Sequence, residues 1–138
     1  MRISATVHDA PGRHEVTVST EGTESTLAIG TRDTGRGSAS NGGELLTAAL
    51  ATCFVNDLHR EAARRGLVVG DVRVTVESEF GGPGDPARTL AYSVRVESPE
   101  DRDVIEDLVR ATDRLAEVHN TIRAGLPVVL TDLEVGEP

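Results

Sequence analysis

Residues 41–66 read NGGELLTAALATCFVNDLHREAARRG, and the fold turns on this stretch. Ser40 or Asn41 can accept the first unpaired backbone N–H groups of a helix. Gly66 can supply the left-handed residue that ends it, after Arg64 and Arg65 have put positive charge at the carbonyl end. Between these ends Leu45, Leu46, Ala48, Ala49, Leu50, Ala51, Phe54 and Val55 go nearly all round the axis. A helix apolar on every side is expected to be buried on every side. From Asp57 the pattern turns charged and is expected to return to water. Ala48, Ala49, Ala51 and Thr52 let another backbone come close. Cys53, the only cysteine, falls on this rigid element one turn before the charged half. Composition alone makes it a small core residue, since free cysteine is among the most buried types.

On the N-terminal side, Ile3, Ala5 and Val7, then Val16, Val18 and Thr20, then Leu27 and Ile29, alternate with polar residues. That is the period of a β-meander over residues 2–30. Asp9-Ala10-Pro11-Gly12 and Glu21-Gly22 supply the turns. Thr31 to Gly43 is polar and glycine-rich, a loop long enough to be functional or mobile. On the C-terminal side, Val72, Val74 and Val76 alternate, Gly81 to Pro86 breaks the run, and Leu90, Tyr92, Val94 and Val96 alternate again, which predicts an antiparallel hairpin. Ser98 is read as a cap and Pro99 as the first helical residue of a second helix. Its stripe is Val104, Ile105, Leu108, Val109, Leu115 and Ile122, and Gly125 and Pro127 stop it. Val128, Val129, Leu130, Leu133 and Val135 make a last strand. The predicted order is βββ-α-ββ-α-β in an α+β fold, with antiparallel sheets around the central helix.

The totals bound the function. At 138 residues the chain is one domain, and a net charge of −9 argues against nucleic-acid partners, which want a basic face. Anionic membranes would repel it, and no run approaches the roughly 18 apolar residues of a membrane span. The N-terminus lacks a basic-then-apolar leader. One cysteine cannot form an internal disulfide, so the chain reads as cytoplasmic. Only Phe54, Phe80 and Tyr92 are aromatic. An aromatic-poor core of this size is expected to share its burial across an interface.

ELLTAALATCF, the basic helix end after it, the strand VRVTVESEF and the later RLAEVHNTIRAGLPVVL together resemble the OsmC/Ohr family (osmotically inducible and organic-hydroperoxide-resistance proteins). The resemblance covers nearly the whole chain. It implies an intertwined homodimer with two central helices buried back to back, and thiol peroxidase chemistry. A reactive thiolate attacks the peroxide O–O bond and becomes a sulfenic acid; a second cysteine condenses with it, and a dithiol restores both. The first step needs a lowered thiol pKa and an apolar mouth for a small apolar peroxide or ligand. Resolution needs a partner thiol.

Two positions depart from the family pattern. Aligning residues 123–128 puts Ala116 where the second cysteine belongs, so resolution falls to an external thiol reductant. The carboxylate that holds the activating arginine falls on Gly43, with Glu44 one step nearer to Cys53, about 100° round a helix. Arg13, in Pro-Gly-Arg-His, resembles the arginine-bearing turn, with Arg32 and Arg36 as rivals and a solvated surface role as the alternative for each. Glu44 would equally serve the helix dipole. His119 lies one turn after Ala116. A Cys–His pair would lower the thiol pKa, while capping or packing at the helix end is the alternative. One cysteine and scattered histidines fall short of a zinc site, and no cofactor is implied.

Cys53, Glu44, Arg13 and His119 are thus the candidate site. The expected function is a one-cysteine thiol peroxidase of oxidative-stress defence. The alternative is a catalytically degenerate dimer that binds a small molecule or serves as a scaffold. No nucleophile-elbow pattern supports a hydrolase.

Overall fold

A computed structural model of the chain describes residues 1–136. The chain divides into two compact units, Met1–Leu46 and Thr47–Pro138. In the first, β1 (Ile3–Ala10), β2 (Arg13–Thr20) and β3 (Thr23–Leu27) form an antiparallel sheet in that order. Pairing closes at Ala10 with Arg13 and at Thr20 with Thr23. Each turn is therefore two residues long, Pro11-Gly12 and Glu21-Gly22. Glu21 (φ 49°) and Gly22 (φ 83°) both have positive φ, the backbone of the primed turns that match strand twist. The glycine loop is tied to this sheet. Asp9 Oδ1 accepts the Gly37 N–H at 2.9 Å and lies 3.0 Å from His14 Nδ1, while Arg36 Nε donates to Oδ2 at 3.0 Å. Thr31 and Ser38 form an isolated bridge within the loop.

Helix α1 (Gly42–Arg65) has the ends expected. Asn41 Oδ1 accepts the Glu44 N–H at 2.8 Å, and the Glu44 carboxylate takes the Asn41 amide at 2.6 Å, a capping pair. Gly66 is left-handed at φ 68°, and the Leu67 N–H reaches the Ala62 carbonyl at 2.9 Å, a Schellman-type stop.

In the second unit β4 (Val72–Phe80) pairs antiparallel with β5 (Ala87–Val96). The register sets Val72 opposite Val96, Val74 opposite Val94 and Val76 opposite Tyr92. This apolar face packs with Ile105 and Val109 on a core of Phe54, Leu58, Ala62 and Leu108. Helix α2 (Arg102–Leu115) brings Leu108 to that core, and α3 (Glu117–Ala124) follows it.

The structure corrects four expectations. Asp57 and Glu61, read as returning to water, are buried, each against arginine. The second helix starts at Arg102 with Asp101 as N-cap, because the Ser98 hydroxyl is engaged elsewhere: it accepts the Glu100 N–H and donates to the Val68 carbonyl. That helix is also two helices. Ala116 is extended (ψ 108°), and two carbonyls its break exposes find side chains, Asp113 O taking Arg123 and Arg114 O taking Asn120. Finally, residues 126–136 form no strand. A ladder needs a second chain segment to close its hydrogen bonds, and none lies beside this one among the described residues. Within one chain, α1 buries one stripe, Leu50, Phe54, Asp57, Leu58, Glu61 and Ala62, and leaves Leu45 and Leu46 exposed.

Candidate functional site

Cys53 lies in the middle of α1, half-buried, one turn before Asp57 on the same face. Its Sγ donates to Asp57 Oδ2 at 3.5 Å. From the other side the Val118 N–H, in the first turn of α3, donates to the sulfur. That donor is available because Ala116 restarts the helix: the carbonyl four residues back, Arg114 O, is held by Asn120 instead. Glu117, on the same turn, faces Asp57. Arg60 bridges the two carboxylates, 2.9 Å from Asp57 Oδ1 and 3.4 Å from Glu117 Oε1.

Burial pushes the Cys53 thiol up, the Val118 N–H pulls it down, and the charge of Asp57 pushes it up further. Asp57 is itself pushed up by burial and by Glu117, against Arg60. Glu117 is held low, chiefly by its own backbone N–H and by Asp57. The resting sulfur is therefore a protonated thiol between a backbone donor and a carboxylate. The ligand-type atoms of Cys53, Asp57 and Glu117 lie within 4.8 Å of one another, but Arg60 already supplies a cation to two of the three.

His119 is buried and turned to a different neighbourhood. Its ring meets Tyr92 edge-on at 4.8 Å and Phe54 at 6.1 Å. Neither nitrogen has a hydrogen-bond partner among the described residues. Burial first, then Arg123, lowers its pKa, with Asp113 and Asp57 opposing, so the ring is neutral at pH 7. Over it Tyr92 donates its hydroxyl to Asp113, which also takes Arg123 at 2.8 Å. This contact ties β5 to α2 and α3. Beside His119 a cavity of about 180 Å³ is lined by Leu50, Val76, Leu90, Tyr92 and Ile122.

In the first unit Arg13 pairs with Glu15 at 2.8 Å, and Glu44 serves the N-cap of α1. Arg32 donates to the Ser38 carbonyl, and Arg36 to Asp9. The sequence reading missed Asp57, Arg60 and Glu117. The signal was present, since Asp57 stands four residues after Cys53 and Glu117 directly follows Ala116. The charge from Asp57 onward was read as a return to water, whereas Asp57 is buried beside the sulfur with Arg60 and Glu117 at its exposed side.

Solved structures share this fold. An OsmC-like protein from Mycoplasma pneumoniae superposes with a TM-score of 0.62 at 14% identity, over 87% of each chain. An organic hydroperoxide resistance protein from Legionella pneumophila gives 0.57 at 22% identity, over 89% of this chain and 90% of its own. The organic hydroperoxide resistance protein OhrB of Bacillus subtilis gives 0.54 at 16%, over 89% and 91%. No curated protein sequence matches the chain. The sequence model of the OsmC-like proteins matches residues 35–131. That span runs from the glycine loop through the Cys53 helix and the β4–β5 hairpin to the segment after α3, so the chain belongs to the OsmC-like family.

Proposed function

We propose that the protein reduces small organic hydroperoxides through Cys53, with an external thiol completing the cycle. One observation carries this reading: the single thiol has a backbone donor on its sulfur and a carboxylate on its proton. The first stabilises a developing thiolate, and the second can receive the proton. The organic hydroperoxide resistance proteins of the same fold support the substrate class. With Ala116 at the family's second cysteine position, the sulfenic acid has no internal partner.

The working form is a homodimer in the cytoplasm. Support for the dimer comes from Leu126, Val128, Val129, Leu130, Leu133 and Val135, all at least 69% exposed in the single chain, and from the uncovered Leu45 and Leu46. A single cysteine, which cannot form an internal disulfide, fits a reducing compartment; no helix among the described residues is long and apolar enough to cross a membrane.

The test is consumption of cumene hydroperoxide in the presence of dithiothreitol. The wild type should turn over and Cys53→Ser should not, with added oxygen on Cys53 by mass spectrometry when the thiol is left out. A second reading, a binding or scaffold dimer, is favoured by the upward push that burial and Asp57 give the thiol. Cys53 left unmodified after prolonged peroxide would establish that reading in place of the first.

A further inference from the structure

We propose that Asp57 takes the proton of Cys53 as the sulfur attacks the peroxide, an assignment that rests on the peroxidase reading above. Asp57 Oδ2 is the acceptor of the thiol's hydrogen bond, 3.5 Å from Sγ, and the side chain is 6% exposed. Its other oxygen is pinned by Arg60 at 2.9 Å, so Oδ2 is held toward the sulfur. The charged and titratable groups facing it are Cys53 and Arg60 from α1 and Glu117 and His119 from α3.

The charge balance of this set decides the route of the proton. In the state where Asp57 can accept, with both carboxylates ionised, Arg60 cancels one and a net negative charge remains beside the sulfur. Losing the thiol proton to solvent would add a second negative charge in a half-buried place, which is costly. Moving it from Sγ to Oδ2 leaves the net charge of the set unchanged. The Val118 N–H then stabilises the sulfur as its charge develops. A carboxylate whose pKa is raised by burial is also the better proton acceptor near neutral pH.

The step balances. The S–O bond forms to the terminal peroxide oxygen while the O–O bond breaks, and the thiol proton passes to Asp57. The alkoxide leaves and takes that proton as an alcohol. Sulfur is oxidised by two electrons to sulfenic acid, and the peroxide is reduced by two. One molecule of external thiol displaces water to give a mixed disulfide, and a second releases the Cys53 thiol.

Full-length wild type, Asp57→Asn and Asp57→Glu are compared in two reactions across pH: iodoacetamide alkylation of Cys53, and sulfenic acid formation with cumene hydroperoxide. Asp57→Asn removes a negative charge, so its alkylation midpoint should move to lower pH. Its peroxide reaction should nevertheless slow by about tenfold or more, the loss of a proton acceptor. Asp57→Glu should recover part of the peroxide rate. A peroxide rate that rises in Asp57→Asn in step with alkylation overturns the assignment, leaving Asp57 as a charge that suppresses the thiolate. A wild type inert to peroxide overturns both the peroxidase reading and this one. Should Asp57→Asn not fold, the solvent deuterium isotope effect on the wild-type reaction at pH 7 decides. A normal effect is expected from proton transfer during attack, and none is expected from a preformed thiolate.

Discussion

The ionisable side chains of this protein divide into those that hold structure and those set for chemistry, and their pH responses separate them. Asp9 is held down to about 2 by His14 first, then by the Gly37 N–H and Arg36. Its contribution to stability is full above the ordinary aspartate range, near about 3.9, and is lost as pH falls through about 2. Asp9→Asn should therefore flatten the acid limb of an unfolding profile between pH 4 and 2. His119 has the same sign in another window. Its folded pKa is depressed, so its contribution is full above about 6.5 and is lost as the pH falls below that value toward the folded pKa. The urea midpoint should drop between pH 7 and 5, and His119→Phe should reduce that slope while keeping the contact with Tyr92. Cys53 is pushed upward, so iodoacetamide alkylation of the wild type should be slow at pH 7 and rise with a midpoint above about 8.5. A midpoint well below that would show a thiolate activated by a cation. Cys53 and its helix were legible because one cysteine among small apolar residues is conspicuous. Its partners were not, because a carboxylate one turn on looks like a helix returning to water until the facing helix is known.

Elements were read well where one period governs and poorly where a hydrogen bond decides. The three-strand meander, the 42–65 helix and the 72–96 hairpin follow alternation and capping residues, which local sequence carries. The end of α1 rests on Gly66 at φ 68°. Gly66→Ala should cost about 1 kcal/mol in urea unfolding, because a β-carbon is strained in that conformation. Leu108, fully buried in the core, should cost about 2–5 kcal/mol on replacement by alanine. The division of the second helix at Ala116 carries no proline or glycine to announce it. It is stabilised by Asn120 and Arg123, each satisfying a carbonyl that a continuous helix would have used. The break leaves the Val118 amide on the sulfur instead of on a backbone oxygen. Its amide resonance should therefore move with Cys53 alkylation or oxidation, while the Leu108 amide in mid-helix should not.

At the scale of the whole molecule, the predicted last strand, Val128 to Val135, forms no strand within one chain: the segment is apolar but has no ladder to join among the described residues. Sequence reports the propensity of a segment; it does not report whether the partner edge belongs to the same copy. Sedimentation at micromolar concentration should give twice the chain mass. Val129→Lys with Leu133→Lys, two exposed residues that a strand would place on one face, should shift the protein toward monomer and lower its thermal midpoint. A folded wild-type monomer at that concentration would contradict the dimer. In the proposed dimer, the same exposed run, 126–135, would make folding a matter of encounter. A chain that covers its apolar surface only by meeting another completes its fold in a second-order step, so refolding yield should fall when the denatured protein is diluted far below micromolar. The abundance of this protein in a cell would then set how much of it is native as well as how much is made.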